Sequence, residues 1–390
     1  MDGDMRRMGS IVCVVGARPN YMKMAPLVRA FGGQPALPPV VLVHTGQHYD
    51  VAMNERLFAD LELPPPDINL EVGSASHAVQ TADIMRRFEP VLDDVRPSCV
   101  IVVGDVNSTL ACSLVATKKN IPVVHVEAGL RSFDRTMPEE INRILTDQMA
   151  DLLFTTERAA ADNLAREGIA PERIRFAGNV MIDSLLRHRE RAAEPAATLA
   201  QAGIATDFLS GTAGFGVVTL HRPSNVDTPS ALQEALSLLR DVAKRIPLIW
   251  PVHPRAKANI ERFGLSSLLS EARIALLPPQ GYLEMLGLLA HAKLVLTDSG
   301  GIQEETTALA VPCLTMRENT ERPITIDQGT NTLVGRDRQR ALECVDDLIR
   351  TGGKRGRTPE YWDGRAADRI AEDLRKWLDV AEVSRRAVHA

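Results

Sequence analysis

The sequence predicts an α/β protein in which two doubly wound parallel sheets form two domains. Short apolar runs rich in valine and isoleucine alternate with segments of helical periodicity, a pattern typical of strands that helices cover on both faces. The length of 390 residues exceeds the usual size of one domain. Polar or glycine-bearing turns follow almost every apolar run, and in parallel sheets such turns form the ligand-binding edge. If the two edges face each other, they form one deep cleft.

The predicted strands fall into two groups of six. The first group is IVCVVG, VVLVHTG, CVIVVGD, VVHVEAG, LLFTT and IRFAGN, at residues 11–16, 40–46, 99–105, 123–129, 152–156 and 174–179. The second group lies at residues 214–221, 248–253, 272–279, 294–300, 312–317 and 332–335. A helical and then charged segment at 180–213 is predicted to connect the two groups. We therefore expect a first domain over 1–180, a second over 181–361, and a C-terminal helix at about 362–385 that packs back on the first.

The composition argues against several classes of partner. A net charge of −5, with acids and bases mixed along the chain, gives no support for binding to nucleic acid or to an anionic membrane. No apolar stretch reaches the roughly 18 residues of a membrane span, and the N-terminal apolar run is predicted to be a strand rather than a signal peptide. The five cysteines lack the spacing of a zinc or redox site. We therefore expect reduced thiols, a cytoplasmic protein and no metal.

The segment TDSGGIQEE at 297–305 is typical of a phosphate-binding turn between a strand and a helix. Gly300 and Gly301 allow a ligand to approach backbone N–H groups, and Ser299 adds a hydroxyl at the positive end of the helix. A plain turn capped by Ser299 explains this string about equally well. Glu305 lies one helical turn further on, where a carboxylate can accept hydrogen bonds from a ribose diol. The string is not GxGxxG, so a nicotinamide cofactor is not expected.

Charged side chains also follow the strands of the first domain. Arg18 and Lys23 flank the turn after the first strand, where contact with an anion is a better explanation than solvation alone. Asp105 and Glu127 each end a hydrophobic strand. Partly desolvated carboxylates that lie close together have pKa values pushed apart, which suits one to accept a proton and the other to donate it.

A helix is predicted to begin at Pro138, with Glu139 and Arg143 on one face at i, i+4. Glu140, in the first turn of this helix, is explained as a complement to the helix dipole. In the second domain, His221 and His253 each stand at a strand end. One such histidine is most often structural, but two at equivalent strand ends favour phosphate contact or acid–base chemistry.

Nine strings in this order resemble the non-hydrolysing UDP-N-acetylglucosamine 2-epimerases. They are GARPNYMKMAPL, HTGQHYD, GDVNSTLA, HVEAGLRS, MPEEINR, GNVMIDSL, TLHRPSNVD, TDSGGIQEE, and TERP followed by GTNTLVG, and they span about Val15 to Gly335. The resemblance implies two Rossmann-like domains facing a central cleft in a GT-B-like fold. It also implies a UDP-sugar substrate, a homodimer, and neither metal nor nicotinamide.

The resemblance further implies reversible inversion of C2 of the sugar through loss of UDP, a 2-acetamidoglucal intermediate, and return of UDP. It assigns acid–base positions to Asp105, Glu127, Glu139 and His221. It assigns substrate contacts to Arg18, Lys23, Arg143, His253, Tyr282, Ser299, Gly300, Gly301, Glu305 and Arg322. Neither face of C2 is assigned an individual base.

Alternatives remain open at this point. A 2-epimerase of a UDP-2,3-diacetamido uronic acid sugar would share nearly all of these strings. A glycosyltransferase on the same fold would need an acceptor site and commonly a membrane-facing patch, neither of which the sequence indicates. A non-catalytic sugar-nucleotide binder would have no use for the retained carboxylates. Hydrolysing relatives carry a glycine pair before the acid where this chain has HVEAG, so we expect the nucleotide to be retained.

The sequence departs from the family where many bacterial members bind a second, activating UDP-sugar. In those members the string after QH continues with arginine and glutamine, and the string after HR continues with arginine and glutamate. Here Gln47 and His48 remain, but Tyr49 and Asp50 follow them, and Pro223 and Ser224 occupy the second string. These differences predict weak or absent activation.

Overall fold

A computed structural model describes residues 9–46, 51–209, 214–270 and 272–388. The chain divides into two units, one comprising Met1–Arg187 with Glu360–Ala390 and the other comprising His188–Pro359. Each unit is built around one parallel sheet whose strands alternate with helices. The domain boundaries expected at 180 and 361 stay predictions.

Within the described residues, seven parallel strands form the sheet of the first unit, in the order β3-β2-β1-β4-β5-β6-β7. The strands β2 and β3 lie on one side of β1, and the next strand along the chain, β4, lies on the other side. The turns after β1 and β4 are therefore neighbours at the carboxyl edge, which is where such sheets bind ligands. The strands are β1 Ile11–Val15, β2 Val40–His44, β3 Ile68–Asn69, β4 Cys99–Val103, β5 Val123–Ala128, β6 Leu152–Thr155 and β7 Ile174–Phe176.

Helices pack on this sheet and explain its apolar strands. Every residue of β1 and β4 is buried, and Ile84 and Phe88 pack in the same apolar cluster as the side chains of these strands. The helices are α1 Arg18–Gly32, α2 Val51–Asp60, α3 His77–Val95, α4 Asn107–Lys118, α5 Pro138–Met149, α6 Arg158–Arg166 and α7 Val180–His188, with a 3-10 turn at Pro171–Arg173. In α5, by contrast, the buried residues are polar or charged.

The second unit repeats the pattern with a six-stranded parallel sheet, in the order β10-β9-β8-β11-β12-β13. Its order reverses between β8 and β11, and Trp250 lies fully buried in its apolar core. The strands are β8 Gly216–Thr219, β9 Leu248–Pro251, β10 Ile274–Leu277, β11 Leu294–Thr297, β12 Cys313–Thr315 and β13 Asn331–Leu333. The helices are α8 Pro195–Gln201, α9 Pro223–Val226, α10 Pro229–Ala243, α11 Pro254–Arg262, α12 Tyr282–His291, α13 Gly300–Ala308, α14 Ile324–Asp327 and α15 Arg338–Thr351, with 3-10 turns at Arg189–Arg191, Thr206–Leu209 and Ser266–Leu268.

The C-terminal helix α16, Ala366–Val388, packs against α1 in the first unit. Its N-terminus is held by the buried carboxylate of Asp183, which accepts hydrogen bonds from the backbone N–H groups of Ala366 at 3.2 Å and Ala367 at 2.7 Å. Just before it, the indole of Trp362 is buried and donates to the carbonyl of Thr156 at 3.3 Å. A helix N-terminus normally lacks such partners, so Asp183 stabilises the attachment of α16.

The predicted α/β class, with two doubly wound parallel sheets, is confirmed. Each predicted strand is present, and one further strand, β3, was missed. It has two residues, Ile68 and Asn69, of which Asn69 is exposed, so it lacks the apolar run by which strands were recognised. Among the described residues, no helix combines the length and the apolar character needed to cross a membrane.

Candidate functional site

The turn after β1 is fixed to the turn after β4 by the buried side chain of Asn20. Its Oδ1 accepts from the backbone N–H groups of Gly16 at 3.3 Å and Ala17 at 3.1 Å, and its Nδ2 donates to the carbonyl of Val103 at 2.9 Å. This places the first turn of α1, with Arg18 and Lys23, at the carboxyl edge of the sheet. Arg18 is half-buried, and burial lowers the pKa of its guanidinium.

Lys23 and Glu127 form a buried ion pair at this edge, with 4% and 5% of their side chains exposed. Gly104 leaves the space for it, because a Cβ there would lie 2.9 Å from Lys23 Nζ and 3.2 Å from Glu127 Oε2. Gly104 also has a φ of +68°, a conformation that side-chain-bearing residues rarely adopt. The glycine of the GDVNST string therefore serves the ion pair as well as the turn.

Glu127 itself has a left-handed backbone, with a φ of +73°. It lies in β5 at a shift in register with β6, between Val126 and Ala128. Such irregularities re-aim a side chain, and a strained backbone persists only where the surroundings hold it. The strand thus turns a carboxylate toward Lys23 that regular pleating would point elsewhere.

Asp105 is held by α5. Arg143, which is buried, donates from Nε to Asp105 Oδ2 at 3.0 Å, and its Nη2 lies 2.7 Å from the same oxygen. Asn142 donates to the backbone carbonyl of Asp105 at 2.9 Å. The Asp105 side chain remains 23% exposed, so it is both paired with a cation and open to a ligand.

The sequence-based explanation of Glu140 was incomplete. Glu140 is 1% exposed and accepts hydrogen bonds from the backbone N–H groups of Ser132 at 3.0 Å and Phe133 at 2.8 Å, and it also pairs with Arg143. Glu139 is half-buried. The spacing of Glu140, Arg143 and Asp147 at i, i+3, i+7 was the available signal, because it puts three charges on one helix face.

A second buried network lies under the same edge. His125 contacts Asp147 Oδ1 at 2.6 Å through Nδ1 and the Gly104 carbonyl at 2.8 Å through Nε2. Arg131 donates to Asp147 at 2.7 Å and bridges to Glu167. Burial alone would raise the pKa of Asp147, but His125 and Arg131 lower it on balance. His125 therefore links the carbonyl of Gly104 to a buried carboxylate, Asp147, which in turn pairs with the guanidinium of Arg131.

In the second unit, the fully buried Asp298 organises the turn after β8. Its carboxylate accepts from the backbone N–H groups of His221 at 3.0 Å and Arg222 at 2.8 Å, and from Asn225 at 3.1 Å. His221 Nδ1 lies 2.9 Å from Asp298, and the ring is 39% exposed. Burial alone would raise the pKa of Asp298, but His221 and these donors hold it below the ordinary value. Asp298 thereby orients His221 with Nε2 turned away from it.

His253 lies beside His221, with ring centroids 5.6 Å apart. It caps α11, because its Nδ1 accepts from the backbone N–H of Arg255 at 3.2 Å. Accepting at Nδ1 leaves the proton of a neutral ring on Nε2, which can donate to an anion. The structure thus brings the two predicted histidines together.

The glycine turn before α13 has a tighter construction than the sequence indicated. Ser299 occupies the N-cap position, but its side chain makes no capping hydrogen bond. A Cβ on Gly300 would lie 2.5 Å from Arg322 Nη1 and 2.5 Å from Glu321 Oε1. Arg322 is buried and pairs with Glu304 at 2.9 Å and with Glu321. Glycine is therefore needed here for the approach of Arg322.

Glu305 is 4% exposed, and burial followed by the adjacent Glu304 raises its pKa to about 8. Burial, with a smaller contribution from Glu305, also raises the pKa of Tyr282. At neutral pH the protonated form of Glu305 is therefore favoured, and it can donate one hydrogen bond as well as accept. This refines the expectation of an ionised carboxylate at this position.

Sequence and structure agree on where the predicted residues lie within each unit. Arg18, Lys23, Asp105, Glu127, Glu139 and Arg143 belong to the carboxyl edge of the first sheet, and His221, His253, Ser299, Gly300 and Gly301 to that of the second. Tyr282, Glu305 and Arg322 lie in or beside the helices that follow. Gln47, His48, Tyr49 and Asp50 lie outside the described residues. Among the described residues, no group of three or more His, Cys, Asp or Glu side chains could hold a metal ion.

Comparison with known proteins gives the same assignment as the motifs. Residues 36–375 match the UDP-N-acetylglucosamine 2-epimerase family. The chain is 39% identical to UDP-N-acetylglucosamine 2-epimerase of Methanococcus maripaludis, covering 88% of this chain and 93% of that one. It is 40% identical to UDP-2,3-diacetamido-2,3-dideoxy-D-glucuronate 2-epimerase of Pseudomonas aeruginosa, covering 94% and 99%.

A solved structure extends the comparison to three dimensions. Methanocaldococcus jannaschii UDP-GlcNAc 2-epimerase, in complex with UDP-GlcNAc and UDP, matches with a TM-score of 0.85 and 38% identity, covering 94% of this chain and 99% of that one. Similarity at this level over nearly the whole length shows common descent as well as a common fold. The chain belongs to the UDP-N-acetylglucosamine 2-epimerase family, and it is a nucleotide-sugar 2-epimerase.

Proposed function

We propose that the protein interconverts UDP-N-acetylglucosamine and UDP-N-acetylmannosamine by inverting C2 of the sugar. The observation that carries the proposal is the pairing of two strand-end carboxylates with buried cations, Glu127 with Lys23 and Asp105 with Arg143. Proton transfer at carbon needs acid and base groups held in fixed positions, and carboxyl groups can fill both roles. The paired cations compensate the charge of these carboxylates where they are buried.

In the proposed reaction, a base removes the C2 proton while the bond between C1 and the diphosphate oxygen breaks, which gives 2-acetamidoglucal and UDP. The same oxygen then re-attacks C1, and an acid delivers a proton to the opposite face of C2. Asp105, Glu127, Glu139 and His221 are the proposed proton-handling groups. No individual residue is assigned to a face.

The second unit supplies the groups that a departing diphosphate needs. Backbone N–H groups at the N-terminus of α13 are donors at the positive end of a helix. His253 can donate from Nε2, and Arg322 stands against Gly300. We propose that Ser299, Gly300 and Gly301 bind the diphosphate and that Glu305 and Tyr282 lie toward the nucleoside.

A second substrate has specific support. The Pseudomonas aeruginosa relative, named for a diacetamido glucuronate, is as similar to this chain as the UDP-N-acetylglucosamine 2-epimerases are, at 40% against 39% and 38% identity. The two substrates differ at C3 and C6 and share C2, so the same proton-handling groups would serve both.

Proton NMR in D2O with each UDP-sugar separately tests the proposal. Deuterium at C2, with both epimers present, is expected for UDP-N-acetylglucosamine. If deuterium enters C2 of the UDP-2,3-diacetamido uronic acid sugar only, that sugar is the substrate and UDP-N-acetylglucosamine is not. Free sugar would indicate hydrolysis, and no exchange with either substrate would contradict the proposed reaction.

We also propose a cytoplasmic homodimer. The described cysteines are thiols rather than disulfides and are mostly buried, which suits a reducing compartment. Light scattering coupled to size-exclusion chromatography tests the assembly, and a mass near 42.6 kDa, that of one chain, would contradict it.

A further inference from the structure

The buried face of α5 carries charges where a helix normally carries apolar residues. Glu140, Arg143 and Asp147 are 1%, 2% and 0% exposed. A buried charge is unfavourable unless partners compensate for it, so each of these residues needs a reason to be there. Asp147 is compensated by His125 and Arg131. The burial of Glu140 and Arg143 needs a separate explanation.

Arg143 is shared between two carboxylates. Its Nε and Nη2 face Asp105, at 3.0 Å and 2.7 Å, while its Nη1 donates to Glu140 Oε2. A planar guanidinium held at both sides has little freedom to rotate. The position of the cation beside Asp105 therefore depends on Glu140.

Glu140 also fixes the loop that joins β5 to α5. Both of its oxygens accept from the loop, from Ser132 N at 3.0 Å and from Phe133 N at 2.8 Å. Phe133 has a left-handed backbone, with a φ of +59°, and its side chain is 73% exposed. A bulky residue rarely adopts that conformation, so the two hydrogen bonds hold a strained segment in place.

We propose that Glu140 is a positioning residue, which holds Arg143 against Asp105 and sets the loop between the strand of Glu127 and the helix of Glu139. The proposal rests on the proposed epimerase function, since it takes Asp105 as a reacting group. This arrangement has an electrostatic consequence, because the carboxylates of Glu140 and Asp105 both interact with the guanidinium of Arg143. Removing the charge of Glu140 takes one competing carboxylate away from Arg143, which favours the ionised form of Asp105.

Other charged groups act on Asp105 as well, but the substitution leaves them in place. Those on the elements packed around the end of β4 are Arg18 and Lys23 of α1, His77 of α3, His125 and Glu127 of β5, and Glu139, Arg143 and Asp147 of α5. Because these groups are common to every variant, a difference between variants reports on Glu140.

The test uses Glu140→Gln, which keeps the shape and removes the charge. Carbon-13 NMR of protein labelled at the aspartate carboxyl follows the titration of Asp105, whose signal is assigned by its loss in Asp105→Asn. We expect the midpoint to fall by about one pH unit in Glu140→Gln. The acid limb of C2 deuterium exchange should move in the same direction.

Asp183→Asn is the matched control. Asp183 is also a buried carboxylate of the first unit that accepts from two consecutive backbone N–H groups, but its partners belong to α16. We expect it to change the stability of the protein and to leave the Asp105 titration unchanged. If Glu140→Gln behaves in the same way, Glu140 is a structural residue and the proposal is wrong.

A second variant separates the effect of the negative charge of Glu140 from the effect of its hydrogen bonds to the loop. Glu140→Asp keeps a negative charge on the helix but shortens its reach to the loop. We expect an Asp105 midpoint close to that of the wild type, with faster hydrogen exchange at the amides of Ser132 and Phe133. A midpoint shifted as far as in Glu140→Gln would overturn the electrostatic part. The NMR titration needs no turnover, so it decides the role of Glu140 even if neither UDP-sugar is epimerised and the proposed function fails.

Discussion

Glu127 combines burial, an ion pair with Lys23 and a strained backbone, while Asp105 is paired with Arg143 and partly open to solvent. We expect Glu127→Gln and Asp105→Asn each to lower C2 deuterium exchange by about 10²–10⁴-fold, because a positioned acid or base contributes that much. UDP affinity, measured by calorimetry, should change little. Glu62→Gln, which alters an exposed carboxylate of the same unit, is the control. Loss of UDP binding together with activity would make the two residues ligand-positioning instead.

Gly300 provides a steric test of the second unit. A Cβ at this position would meet Arg322 Nη1 at 2.5 Å, so Gly300→Ala must displace a buried, doubly paired guanidinium. Overpacking of this kind is unfavourable by about 1–3 kcal/mol, and we expect roughly tenfold weaker UDP binding. Gly32→Ala is the control, because no atom lies within 4 Å of its added Cβ. Equal UDP affinity in the two variants would show that Arg322 and the turn do not contribute to binding.

At the residue scale, the sequence predicted which polar side chains follow the strands, but it did not predict which residues pair with them. Asp105, Glu127, His221 and His253 were predicted because each follows an apolar run. Asp298 was overlooked as an organiser of His221, because its partners lie in a turn 76 and 77 residues away. Which of two adjacent glutamates turns inward depends on the rotation of α5 about its axis, and tertiary packing sets that rotation.

At the scale of elements, α16 should make stability depend on pH through Asp183. Burial raises the pKa of Asp183 to about 6, against an ordinary value of 3.8. The protonated form is thus favoured by folding, and its stabilising contribution is complete below about pH 4 and lost as pH rises through 6. We expect the free energy of unfolding of the wild type, relative to Asp183→Asn, to fall by about 2 kcal/mol between pH 4 and 7. Urea unfolding at several pH values measures it, and a constant difference would contradict the assignment.

Periodicity identified most elements because both sheets are parallel and buried, so their strands are apolar on both faces. It failed at β3, which is an edge strand of two residues with Asn69 exposed. It also gave an incomplete account of α5, whose buried face is polar. That face serves the strand ends of β4 and β5 rather than the apolar core, so the exception to the pattern coincides with the candidate site.

At the scale of the molecule, both units place chemical groups at the point where strand order reverses, between β1 and β4 and between β8 and β11. Short polar turns at these points were predicted from sequence in both halves. The central cleft predicted between the two units stays an expectation, as does the identity of the sugar substituents at C3 and C6.

The turn after β8 also bears on regulation of the whole enzyme by its own substrate. Pro223 and Ser224 begin α9 and are exposed, and Arg336 donates to the carbonyl of Ser224. Together with Tyr49 and Asp50, they occupy positions where the resemblance to the family implies arginine, glutamine and glutamate in members that a second UDP-sugar activates. We expect epimerisation of UDP-N-acetylmannosamine alone to begin without a lag in a pre-steady-state assay, and added UDP-N-acetylglucosamine not to raise the initial rate. We expect added UDP-N-acetylglucosamine to raise the initial rate of a variant that carries Tyr49→Arg, Asp50→Gln, Pro223→Arg and Ser224→Glu. A strict requirement for UDP-N-acetylglucosamine in the unaltered protein would show that activation does not depend on those four side chains.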